Sequence, residues 1–223
     1  MKSKIYQIAI DGPAGSGKST IAKLLAKKLR FLYIDSGAMY RATTLYLIEN
    51  NLLNKPERNI TNYLRRLKIN FRESRKGQIV ILNKKDVSKK VRSSLINKYV
   101  SEVSSKKNIR KEMVKRQREI GRNCSIVMDG RDIGTTVFPN ANLKIYLTAS
   151  SYIRAVRRKK DLAKLSENIS VKELVKQIQK RDDFDSSRAI SPLSKAHDAI
   201  VIDTTNLTIS GVLKLINSFL PIQ

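Results

Sequence analysis

GPAGSGKS, residues 12–19, restricts the fold of this chain more than any other feature. It satisfies the pattern GxxxxGK[ST] in full. It follows the apolar run IYQIAI (5–10) and precedes a stretch in which Ile21, Leu24, Leu25 and Leu29 recur at helical spacing. Strand, glycine-rich turn and helix in that order make a phosphate-binding loop. Gly12, Gly15 and Gly17 allow backbone shapes that a Cβ would block, so N–H groups can converge on an anion at the helix N-terminus. Gly12, Pro13, Ala14, Gly15, Ser16, Gly17, Lys18, Ser19 and Thr20 are therefore expected to cradle a nucleoside triphosphate. Lys18 would supply charge to the β- and γ-phosphates, and Ser19 a hydroxyl to Mg2+. The loop leaves open what happens to the triphosphate.

The rest of the chain continues the alternation. FLYID (31–35), SIVMDG (125–130), LKIYLT (143–148) and AIVIDT (199–204) are apolar, strand-like runs separated by helical periodicity. That pattern predicts a parallel, doubly wound α/β sheet. Ser170, three residues before Glu173, makes a capping box ahead of Val171, Leu174, Val175 and Ile178, and Thr208 is placed to cap a last helix. Residues 60–105 break the alternation. A helix (Ile60, Tyr63, Leu64, Leu67), KINF, a turn near Gly77, QIVIL and DVS read as a small α+β insertion, not a separate domain. Residues 154–188 are helical and densely basic, which suits a cover.

Composition excludes several classes. A chain of 223 residues with 41% hydrophobic content suits one medium domain or a domain with a modest insertion. One Cys rules out an internal disulfide, and one His rules out a multi-histidine metal site. Cys124 is expected to be buried, His197 to be a surface or capping residue, and Tyr40 to serve packing. The N-terminal apolar run is too short for a signal peptide or a membrane span, so a soluble cytoplasmic protein is expected. The net charge of +26 invites a nucleic-acid reading. Against it, lysines are scattered through nearly every segment, aromatics are 6% and Trp is absent, leaving few stacking platforms. Such a field would still attract small phosphorylated ligands and concentrate them near a cleft. NKKD (Asn83–Asp86) resembles a guanine-reading tetrapeptide, but no DxxG element precedes it after the phosphate loop.

DSGAMYR (35–41), DVSKKVR (86–92), DGRDIGT (129–135) and RDDFDSSR (181–188) narrow the choice. Together with GPAGSGKST they resemble bacterial cytidylate kinase from about residue 5 to about residue 205. The resemblance implies a P-loop nucleoside monophosphate kinase that transfers the γ-phosphoryl group of ATP, with Mg2+, to CMP or dCMP. It implies a single kinase domain over 1–223 with a five-stranded parallel sheet. A monophosphate-binding insertion would lie at about 60–105 and a short helical lid at about 154–188. A monomer is expected, with no nucleic-acid or membrane partner required. Residue by residue, Arg41 and Arg131 match arginines on the acceptor phosphate, while Ser36, Ser101, Arg110 and Asp132 match positions around the cytosine. Arg181 and Asp185 match the ribose site, and Arg188 a closing arginine. Lys18, Arg131, Arg181 and Arg188 would form the catalytic set, with Asp129 a carboxylate behind the metal. Which of Arg154, Arg157 and Arg158 reach phosphate stays open. Two other readings stand beside this one: a relative acting on UMP or AMP, and a P-loop module whose main partner is RNA.

Such a transfer needs no general base. The acceptor phosphate has a second pKa near ~6 and is mostly ionised at neutral pH, so catalysis rests on positioning and charge.

Overall fold

The structure, a computed structural model, describes residues 5–74, 77–163 and 169–220. Residues 164–168 of the expected cover and 75–76 of the expected insertion lie outside that set. The first half of the chain contains β1 (Gln7–Asp11), α1 (Lys18–Leu29), β2 (Leu32–Asp35), α2 (Ser36–Glu49) and α3 (Glu57–Arg66). Then come β3 (Ile69–Arg72), β4 (Ile79–Leu82), β5 (Lys85–Asp86), α4 (Ser94–Ser105) and α5 (Lys107–Gly121). The second half contains β6 (Ile126–Asp129), β7 (Leu143–Thr148), α6 (Ser151–Ala163), α7 (Val171–Ser186), β8 (Ile200–Asp203) and α8 (Ile209–Asn217). Two compact units emerge, Met1–Tyr33 with Gly121–Gln223, and Ile34–Ile120.

The expected α/β architecture is present. Five strands form one sheet in the order β2-β6-β1-β7-β8, and β1 pairs in parallel with both β6 and β7. All four residues of β6 are buried, as a strand covered on both faces requires. In the first unit Ile8, Ile10, Val127 and Ile145 meet Ile21 and Leu25 of α1 and Val212 and Ile216 of α8 in one core. Leu24, although spaced like its neighbours, is 39% exposed. It sits roughly 60° to one side of Ile21, away from the stripe made by Ile21, Ala22, Leu25 and Ala26. Ala155 and Leu162 of α6 pack on Leu174 and Ile178 of α7 in a smaller cluster. The anticipated caps form: Ser170 Oγ accepts from Glu173 N at 3.1 Å, and Thr208 Oγ1 from Gly211 N at 3.1 Å.

The second unit holds α2, α3, α4 and α5 with an antiparallel sheet in the order β3-β4-β5. Ile60, Leu64 and Leu67 are buried there, whereas Tyr63, beside that stripe, faces solvent. NKKD is a hairpin turn. Asn83 and Lys84 both have positive φ (46° and 71°), and Leu82 pairs directly with Lys85 across the two-residue loop. A backbone bent in this way accounts for the tetrapeptide without any guanine to read.

Candidate active site

In the first unit β1 ends in a loop whose shape only glycine permits. Gly12 has φ +140°, and a Cβ there would lie 2.0 Å from the Leu147 carbonyl oxygen of β7. Gly17 is the N-cap of α1, which has no side-chain cap and no acidic residue in its first turn. Its leading N–H groups thus remain available to an anion, and Ser16 Oγ, fully buried, also lacks a partner among the described residues. Lys18 is 5% exposed and donates from Nζ to the Pro13 carbonyl at 2.7 Å. Burial, with Arg131 nearby, lowers its pKa to about 7. Ser19 Oγ donates to Asp129 Oδ2 at 2.6 Å, and Tyr33 Oη donates to Asp129 Oδ1 at 2.9 Å. The expected hydroxyl and strand-end carboxylate are therefore side by side, and the carboxylate is held from both oxygens.

The chain leaving β6 carries Arg131 and Asp132, and a residue not anticipated from sequence orders it. Asp11, at the end of β1, accepts from Ile133 N at 2.8 Å and Gly134 N at 2.7 Å. Burial raises its pKa to about 7 despite those two amides. Asp132 is buried close enough to repel it. Arg131 Nε donates to Asp185 Oδ2 at 2.9 Å, Arg188 pairs with Asp185 Oδ1, and Arg181 Nε lies 4.0 Å from Oδ2. Asp185, 1% exposed, thus gathers three of the expected site arginines. The charges of Arg131 and Arg181 reach Lys18 and disfavour its protonation.

The second unit holds the other expected residues. Asp35 caps α2 by accepting from Ala38 N at 2.8 Å, and its second oxygen takes Arg41 at 2.6 Å. Arg41 Nε is buried without a partner among the described residues. Ser36 is buried one turn before Tyr40. The Arg110 guanidinium, 2% exposed, stacks 5.2 Å from the Tyr40 ring centre and donates to the Ser104 carbonyl at 3.0 Å. Ser104 Oγ in turn donates to the Ser101 carbonyl at 3.0 Å. Ser36, Arg41, Ser101 and Arg110 are thereby tied to one helical framework of α2, α4 and α5.

Three structural residues escaped the sequence reading: Asp11, Asp35 and Asp182. Asp182 binds Arg154 and, at 3.4 Å, Ala14 N of the phosphate loop. Asp11, at a strand end where α/β sites collect, and Asp182, inside a quoted motif, show their use only through partners across the fold, whereas Asp35 meets its partners, Ala38 and Arg41, within its own motif. Cys124 is half-buried, His197 is exposed and Tyr40 is buried.

Asp11 yields a test by titration. Its folded pKa is about 7 against 3.8 in the unfolded chain, so the folded state holds a proton between those values that the unfolded state has released. Stability from this group is full below pH 3.8 and is lost as pH rises towards 7. Asp11→Asn cannot ionise. The stability of the native protein relative to this variant should therefore decline from pH 4 to pH 7 in thermal melts. A constant difference across that window would show that Asp11 is already ionised.

Comparison with known proteins follows the same lines. Residues 8–220 match the family model described as cytidylate kinase. A cytidylate kinase from Fusobacterium nucleatum is 49% identical over 210 residues, 94% of each chain. One from Carboxydothermus hydrogenoformans is 46% identical over 206 residues, 92% of this chain and 93% of that one. Among solved structures, an uncharacterized protein from Eubacterium ventriosum aligns with TM-score 0.53 at 13% identity, over 98% of this chain and 99% of its own, a likeness of fold alone.

Proposed function

The chain belongs to the cytidylate kinase family, and on that footing we propose that it transfers the γ-phosphoryl group of ATP to CMP and dCMP, giving ADP and CDP or dCDP. The observation that carries the reading is the cationic cluster of the first unit. A buried loop lysine, Lys18, feels Arg131 and Arg181, and those arginines are gathered with Arg188 on the single carboxylate of Asp185. Donor and acceptor are both polyanions, so the reaction requires such a density of fixed positive charge.

Lys18, its pKa lowered by burial and by Arg131, gains its proton in the field of a triphosphate and then faces the β- and γ-oxygens. Ser19 Oγ and Asp129 are oxygen donors of the kind Mg2+ takes: Ser19 would offer its hydroxyl to an ion carried by the nucleotide, and Asp129 would hold that hydroxyl. Bound there, the ion would neutralise charge on the transferring group. Arg41 and Arg131 orient the acceptor phosphate, whose oxygen attacks without a base because it is already ionised. Arg188 and Arg181 stabilise the charge that spreads during transfer. Ser36, Ser101, Arg110 and Asp132 hold the cytosine, a carboxylate accepting from its amino group where uracil has only an acceptor. Asp185 and Arg181 serve the ribose. We propose one kinase domain with its monophosphate-binding insertion at about 60–105 and its lid at about 154–188, working as a cytoplasmic monomer. Among the described residues no helix is long and apolar enough to cross a membrane.

The test is ADP release in a coupled assay with ATP and Mg2+ across CMP, dCMP, UMP, AMP and GMP. CMP and dCMP should lead in kcat/KM by at least about 5-fold over UMP, the smallest margin one base contact provides. A lead by UMP or AMP would move the chain to the other monophosphate-kinase reading.

A further inference from the structure

We infer that Arg157 and Thr204 set the working shape of the phosphate loop, and that Arg157 acts through Thr204 as a positioning residue, not as a ligand of the transferred phosphate. The inference rests on the reading that this loop holds the donor triphosphate. Arg157, on α6, grips both oxygens of one residue: it donates to Thr204 Oγ1 at 2.9 Å and to the Thr204 carbonyl at 2.7 Å. A guanidinium presents its donors as a rigid fork, so this double contact fixes Thr204 in place. Thr204 follows β8 and is 3% exposed. Its hydroxyl has a single proton to give, and two carbonyl oxygens stand within reach, Ser16 at 3.1 Å and Thr148 at 3.0 Å. Thr148 already accepts from Thr204 N at 2.8 Å. With Arg157 filling a lone pair of the hydroxyl, its proton is left for the Ser16 carbonyl, in the phosphate loop.

Pinning that carbonyl has a consequence for the loop. In a planar trans peptide the C=O and the N–H point in opposite directions. Drawing the Ser16 oxygen towards Thr204 therefore turns the Gly17 N–H to the other side of the same peptide. The Ala14–Gly15 peptide, two before it in the loop, is treated alike, since Arg154 on α6 donates to the Ala14 carbonyl at 3.2 Å, which turns the Gly15 N–H away from α6. Arg154 is 8% exposed, bonded also to the Ala149 carbonyl at 3.0 Å and paired with Asp182. A Cβ on Gly15 would come within 3.0 Å of Arg154 Cβ, so the loop rests directly on this helix. Two of the three basic-run arginines thus serve the loop, Arg157 through both Thr204 oxygens and Arg154 through the Ala14 carbonyl and Asp182.

Four variants separate this from a phosphate-ligand role: Thr204→Val, Thr204→Ser, Arg157→Ala and the double variant Thr204→Val/Arg157→Ala. ATP binding is measured calorimetrically with Mg2+ and no acceptor, and KM is measured for ATP and for CMP. Thr204→Val and Arg157→Ala should each weaken ATP binding about 10-fold, the scale of one hydrogen bond to a charged or buried group. KM for CMP should stay within about 2-fold, a split that general loosening would not produce. Thr204→Ser, which keeps the hydroxyl, should bind ATP like the native protein. The double variant should be no weaker than the worse single one. Full additivity, or a defect in Arg157→Ala with none in Thr204→Val, would make Arg157 a direct phosphate ligand and overturn the inference. So would unchanged ATP binding in both. If Thr204→Val fails to fold, Arg157→Lys beside Arg157→Ala still decides: lysine keeps the charge but cannot grip both Thr204 oxygens as a fork does, so the positioning role predicts ATP binding weakened as in Arg157→Ala, and a direct-ligand role predicts near-native binding. A native protein that binds no ATP would instead refute the proposed function itself.

Discussion

Lys18→Ala is expected to lower kcat by about 10²–10³-fold or more, the scale on which single preorganised donors to transition-state charge act, while the fold survives. The second half of that expectation comes from burial. The Lys18 ammonium is 5% exposed and its pKa has fallen from 10.5 to about 7, so the folded protein holds this charge at a disadvantage. The folded state sheds the proton between pH 7 and 10.5 while the unfolded chain keeps it, so stability from this group improves as pH rises through that window. Alanine removes both the penalty and the slope. The melting temperature of the variant at pH 7 should equal or exceed that of the native protein, and its rise towards pH 9 should be smaller. Circular dichroism melts at pH 7 and 9 beside a turnover assay provide the check. Near-native turnover in the folded variant would remove Lys18 from the catalytic set.

Asp185→Ala should be the most damaging change to stability as well as to turnover. The carboxylate is 1% exposed, accepts from Arg131 Nε at 2.9 Å, pairs with Arg188 and stands 4.0 Å from Arg181 Nε. Removing one partner from buried charge pairs leaves uncompensated charge, at a cost of about 3–5 kcal/mol. Here guanidiniums that share one counter-ion would be left to repel one another. Denaturant titration should show that loss, and kcat/KM should fall for both CMP and dCMP, with the CMP/dCMP ratio changed. Asp185→Asn keeps the shape without the charge and should fall between the two. An Asp185→Ala protein of native stability and activity would return the residue to a surface role.

These two residues illustrate different degrees of legibility. Lys18 could be read because its loop is a local object: eight consecutive residues, a strand before and a helix after. The caps at Ser170 and Thr208 were legible for the same reason, since a cap involves atoms three residues apart. Asp185 was assigned through a motif shared with a family, and only the structure adds that three arginines converge on it from positions 131, 181 and 188. NKKD shows the converse case. Four residues copied a motif, and the antiparallel pairing of β4 with β5 decided that they are a turn. Tyr63 and Leu24 fit helical periodicity, yet each sits at the side of its stripe, where the neighbouring elements decide exposure.

What the amino-acid order determined by itself is the alternation of apolar strands and helices, the phosphate loop at the first strand end, and the absence of any histidine pair or cysteine framework. Those depend on hydrophobic period and on backbone freedom at glycine, both properties of short segments. Tertiary structure alone decided how the loop is held and where its charges balance. Asp11 meets the Ile133 and Gly134 amides 122 and 123 positions away, and Thr204 meets Ser16 across 188. A hydrogen bond is selective in distance and angle but indifferent to chain separation. Such pairs therefore leave no periodic trace in the sequence, and the burial that shifts Lys18 and Asp11 exists only once the sheet has closed over them.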